Sequence, residues 1–125
     1  MIEIGDTYIS VFKFYDAKKG KMGFKKRPVL VIGKADDTDY VVLPISRVTK
    51  RENLDLIYDI EVEKEKFPLM NLKENSYIRT HKQAVLNKGD LIHKVVNIKS
   101  EYSSLYHLVI KNVEDFQVEL IKKAK

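Results

Sequence analysis

A chain of 125 residues with 44% hydrophobic side chains can build one core and is too short for two ordinary domains. It has no cysteine, which excludes a disulfide framework and a thiolate metal site. Its 23 Lys and Arg outweigh 18 Asp and Glu for a net charge of +5, a bias that bears on anionic partners and not on fold.

The opening residues, Met1-Ile-Glu-Ile-Gly-Asp6, show no basic stretch followed by an apolar one. No apolar run approaches the roughly 20 residues of a membrane span. The expectation is a soluble, cytoplasmic protein of one domain, residues 1–125, without a membrane partner.

In chain order, Gly5-Asp6 introduces Thr7–Phe14, rich in β-branched and aromatic residues and read as a first strand. Residues 15–26 hold Gly20, Gly23 and most of the early lysines without a sustained period. They predict a long mobile loop, and such loops are uncommon without a function. Arg27-Pro-Val-Leu-Val-Ile-Gly33 is a nearly continuous apolar run opening on proline, which predicts a central buried strand. Ala35–Asp39 reads as an acidic turn and Tyr40–Ser46 as a third strand, with Pro44 predicting an edge or a bulge near its end. Arg47–Asp55 is polar and reads as a loop or one short helical turn, Leu56–Val62 as a half-exposed strand and Tyr77–Thr80 as another. Asn87-Lys-Gly-Asp90 signals a turn, and Leu91–Ile98 a last strand.

From Ser100 onward the pattern changes. Tyr102, Leu105, Val109, Val113, Phe116 and Leu120 recur at spacings of three and four, the period of one helical face. Ser100 is placed to cap this helix, and Lys122, Lys123 and Lys125 suit its C-terminal dipole. The predicted architecture is mainly β: a small, strongly curved β-barrel of five to seven strands with a C-terminal amphipathic helix packed on it.

Basic charge is concentrated in one segment that contains no acid: Lys18, Lys19, Lys21, Lys25, Lys26 and Arg27. That segment is a candidate phosphate-binding arm. Tyr15 and Phe24 beside it either stack on splayed bases or pack the arm against the barrel. Histidines and acids show no metal-ligand spacing, and glycine-rich phosphate loops are absent, so no metal and no cofactor is expected.

Three segments together resemble the MazF/PemK family of toxin endoribonucleases. They are Gly5-Asp6-Thr-Tyr-Ile before the first strand, Lys26-Arg-Pro-Val-Leu-Val-Ile32, and Pro44-Ile-Ser46 closing the third strand, in matching order and spacing. Asn75-Ser-Tyr-Ile-Arg-Thr-His-Lys-Gln-Ala-Val-Leu86 resembles the family segment that carries an arginine and leads into a short strand. The resemblance spans nearly the whole chain and is most specific at Arg27–Ile32. It implies an SH3-like barrel, a homodimer, and metal-independent cleavage of single-stranded RNA by the toxin of a type II toxin-antitoxin system. It also implies an antitoxin whose flexible tail fills the RNA groove.

Carried onto this sequence, the resemblance makes Arg27 a catalytic arginine. It makes Ser46 the hydroxyl on the scissile phosphate, where the family usually has threonine. Arg79 and His81 take the places of an Arg-x-Asp that supplies acid and base in one branch, so His81 is a departure. Each role has a physical basis and a plainer alternative. The planar fork of Arg27 holds phosphate in two bonds, or merely ends a solvated loop. Ser46 donates to a phosphate oxygen, or satisfies a turn. Arg47 adds a second phosphate contact. The imidazole of His81 takes the proton of a ribose 2′-OH near neutral pH, or only packs.

Cleavage of this kind needs a base, an acid, cations and an aligning groove, yields a 2′,3′-cyclic phosphate and spares DNA. The alternative is a non-catalytic nucleic-acid- or peptide-binding module, because small barrels host many functions.

Overall fold

A computed structural model describes residues 1–125. Seven strands form one antiparallel sheet: β1 (Asp6–Asp16), β2 (Lys21–Lys34), β3 (Asp39–Ser46), β4 (Asp59–Val62), β5 (Ser76–Arg79), β6 (Ala84–Asn87) and β7 (Leu91–Asn97). Two helices follow, α1 (Ile98–Glu101) and α2 (Ser103–Ala124). The strand order is β4-β5-β3-β2-β1-β7, with β6 added alongside β3. The end strands β4 and β7 do not pair, so the sheet is a curled half-barrel. Register shifts between β1 and β7 and at Val31/Gly33 of β2 introduce the extra residues that bend it.

Both sheet faces are covered, which explains the unbroken apolar run in β2. Leu30, Leu43, Ile45, Ile60, Val62 and Ile78 face the helices and pack with Ile98, Leu105, Tyr106 and Val109. Val29, Val31, Val42, Tyr8, Tyr40 and Leu91 form a second cluster on the other side. Alternate residues of one strand thus serve two cores.

The segment 15–26 is not a loop. β1 and β2 pair without interruption from Thr7↔Leu30 to Asp16↔Lys21, leaving only residues 17–20 as the turn. The Asp16 carboxylate accepts from the backbone N–H groups of Lys18 (3.0 Å) and Lys19 (3.3 Å), and Gly20 takes the left-handed conformation that closes the turn. The arm projects with much of both faces in solvent, so its pairing leaves little hydrophobic period to read.

Pro44 marks neither an edge nor a bulge. β3 is central: Asp39–Val42 pair with β6, and Ile45–Ser46 pair with β5. Pro44 falls between those two partners, where its missing N–H interrupts neither. The fourth strand starts later than expected, at Asp59, because Leu56 and Ile57 form an exposed turn. Ser100 is not the cap of the long helix. Asn97 caps α1 by accepting from the Ser100 N–H at 3.0 Å, and α2 begins after a break at Tyr102. Leu105 and Val109 are buried and Val113 and Phe116 half-buried, but the helix runs free of the sheet beyond them, and Leu120 is exposed.

Gly5 joins the two ends of this framework. Its N–H donates to the Val31 carbonyl at 2.8 Å, and its carbonyl accepts from Ile98 at 2.9 Å. Its φ is +93°, and a Cβ there would lie 2.5 Å from the Lys99 Cβ. Gly5→Ala is expected to destabilise the fold by about 2 kcal/mol, from backbone strain plus that clash. Urea unfolding would measure it, and an unchanged midpoint would contradict the assignment.

Candidate nucleic-acid interface

Strand register gathers part of the sequence-predicted site into one row. Val29 pairs with Pro44, the last pair between β2 and β3, and Arg27 and Ser46 each lie two residues beyond it, on the faces of their strands that Val29 and Pro44 occupy. Ser46 pairs with Tyr77 on β5, and Tyr77 with Glu61 on β4. Paired residues point to the same face, so the row runs Arg27, Ser46, Tyr77, Glu61 across four strands. It lies on the face away from the helices, because Ile45, Ile78 and Ile60 alternate with it and point to the helical core.

Within the row, the Tyr77 hydroxyl donates to Glu61 Oε2 at 3.3 Å. Burial, followed by the charge and hydrogen bond of Glu61, raises the Tyr77 pKa above its ordinary value, so the phenol keeps its proton. Arg27 is half-buried, and its carbonyl accepts from the Ser10 hydroxyl at 2.8 Å. Its guanidinium forms no ion pair within the chain. A free guanidinium beside a hydroxyl is a ready anion grip.

Arg79 lies on the same face of β5 as Tyr77, two residues along, and with His81 from the turn after β5 it surrounds Asp59 of β4. Arg79 Nε and Nη2 donate to the two oxygens of Asp59 at 3.0 and 3.1 Å, and Nη2 also donates to the Asn53 carbonyl at 2.7 Å. The Asp59 side chain is 0% exposed and that of Arg79 18%. Three hydrogen bonds from Nε and Nη2 thus tie Arg79 to β4 and to the loop before it. His81 is 13% exposed, with Nδ1 3.7 Å from Asp59 Oδ1 and no hydrogen-bond partner. Its ring sits against Tyr58 at 5.9 Å and Phe116 of α2 at 6.3 Å between centroids.

The loop before β4 is locked to this cluster. Asp55 donates its N–H to Asp59 Oδ2 at 2.9 Å, while its own carboxylate accepts from Ile57 and Tyr58, both at 2.8 Å. Desolvation pushes the Asp55 pKa up, but those two N–H groups and the charges of His81 and Arg79 together bring it below its ordinary 3.8. Because the folded pKa is depressed, the stabilisation is complete above 3.8 and lost as pH falls below it. Asp55→Asn should therefore flatten the fall in stability between neutral and strongly acid pH, as measured by urea unfolding. An equal fall in both proteins would contradict this.

The basic arm divides between two faces. Lys21, Lys25 and Arg27 alternate on the Arg27 side, where Lys25 Nζ lies 4.9 Å from the centre of the Phe14 ring. Lys26 and Phe24 point the other way with Tyr15, and Phe24 and Tyr15 are 66% and 64% exposed. Lys18 and Lys19 sit in the turn, and Arg47 is exposed directly after Ser46.

Comparison with family models finds no match, and no characterised protein matches the chain by sequence. Sequence reasoning missed Asp59, Glu61 and Tyr77. The alternation of Asp59 and Glu61 with Ile60 and Val62 placed both acids on one face, but nothing local told which strand they face. No three His, Asp or Glu side chains converge as a metal-ligand set, and no helix is long and apolar enough to cross a membrane.

Proposed function

We propose that this protein is a metal-independent endoribonuclease that cleaves single-stranded RNA, the toxin of a type II toxin-antitoxin pair. The observation that carries the reading is that Arg27 and Ser46 each lie two residues beyond the Val29–Pro44 pair, on the sheet face away from the helices, with Lys21 and Lys25 alternating on the same face of β2 as Arg27. Arg27 holds the scissile phosphate through its fork and Ser46 donates to a second oxygen. Lys25 and Lys21, about 7 and about 20 Å from Arg27 along the same face of β2, follow the flanking backbone. The 2′-oxygen attacks phosphorus in line with the departing 5′-oxygen.

The same reading includes a homodimer and an antitoxin whose acidic segment neutralises this basic face. It is supported by the resemblance of Arg27–Ile32 and Pro44–Ser46 to the MazF/PemK pattern. Purified protein incubated with single-stranded RNA in EDTA should cut it and leave DNA of the same sequence whole. RNA that binds but stays intact would favour the binding-module alternative. Expression without the antitoxin should arrest growth.

A further inference from the structure

The sequence offers His81 as the base, but its Nδ1 is buried and its ring wedged between Tyr58 and Phe116, off the row that holds Ser46. The row itself ends in a carboxylate. Glu61 is exposed between the buried Ile60 and Val62, and the Tyr77 hydroxyl holds one of its oxygens. Ser46 and Glu61 stand two strand spacings apart, about 10 Å between backbones. A phosphate on Ser46, an attacking oxygen about 3 Å from phosphorus and a hydrogen bond of about 3 Å to a base span that distance over Tyr77, which stands on β5 between the two.

We infer that Glu61 is the proton acceptor of the cleavage step and that Tyr77 is its positioning residue. The inference rests on the ribonuclease reading above. In the step, the proton of the 2′-OH passes to Glu61 as the 2′-oxygen bonds to phosphorus. The bond from phosphorus to the 5′-oxygen breaks, that oxygen takes a proton from water, and Glu61 returns its own proton to water. No atom is gained or lost beyond the exchange of ends. Tyr77 leaves the second carboxylate oxygen free to accept. The charged groups near this pair are Lys66, from the turn after β4, beside Glu61, and Asp59 and Arg51 beside Tyr77.

The test is the pH profile of single-turnover cleavage of one RNA by the wild type, Glu61→Gln and Tyr77→Phe, with melting curves to confirm folding. Glu61→Gln keeps the shape and solvent exposure of the side chain. It is expected to lower the rate by about 10²-fold or more and to remove the acidic limb of the profile. Tyr77→Phe should lower the rate less and keep the limb. A wild type that cleaves while Glu61→Gln matches it would overturn the assignment and leave the ribonuclease reading standing. So would a limb near neutrality, where imidazole titrates, that survives in Glu61→Gln. A wild type that leaves RNA intact would overturn both.

Discussion

Arg27→Ala is expected to lower RNA cleavage by about 10²- to 10³-fold, the loss typical of removing one donor to a developing oxyanion. The chain should remain folded, because the side chain makes no ion pair and the bond from Ser10 goes to the Arg27 carbonyl, which the substitution keeps. Arg27→Lys restores the charge without the planar fork, so its activity should fall between the two. Cleavage rates measured beside thermal melts separate these effects. An active, folded Arg27→Ala protein would remove Arg27 from the chemistry.

The second large effect falls on stability. Asp59→Ala is expected to cost about 3 to 5 kcal/mol, because it removes one partner of a buried ion pair and leaves the other without compensation. Three hydrogen bonds are lost together: those from Nε and Nη2 of Arg79, of which Nη2 keeps only the Asn53 carbonyl, and that from the backbone N–H of Asp55. That connects β4, β5 and the loop from Asn53 to Tyr58, so the loss should appear as one cooperative drop in melting temperature. For a domain of this size the drop is on the order of 10 °C or more. A cost below about 1 kcal/mol would mean that the pair behaves like an exposed one. Pairing Asp59→Ala with Arg79→Ala in a double-mutant cycle isolates the coupling.

The sequence was most legible where one local pattern decided the outcome. Pro28–Ile32 is apolar at every position because both sheet faces are covered, and that pattern has few other meanings. The period through Leu105, Val109, Val113 and Phe116 identified the packed face of α2. It said less about the last turns, where Leu120 keeps the spacing but has no sheet beneath it.

The basic arm misled for a physical reason. Its pairing is held by backbone hydrogen bonds and the Asp16 turn, with Gly23 lying under the Phe14 ring, so lysines and glycine interrupt the alternation that signals a strand. The site was legible only in part. Arg27 and Ser46 stand out from the segments around them. That Ser46 meets Tyr77, and Tyr77 meets Glu61, depends on register between strands separated by long stretches of chain. The tie between Asp59 and Arg79 has the same origin. No short-range signal reports such pairing, so His81 drew attention as a base while Glu61 read only as the polar half of a strand.

The most direct measurement of the central claim is the chemistry of the new RNA end. An RNA oligonucleotide cut in EDTA should show a 2′,3′-cyclic phosphate by ³¹P NMR, and a single 2′-deoxy substitution at the cut should block cleavage there. An intact oligonucleotide, or cleavage that proceeds unchanged through the 2′-deoxy position, would contradict it.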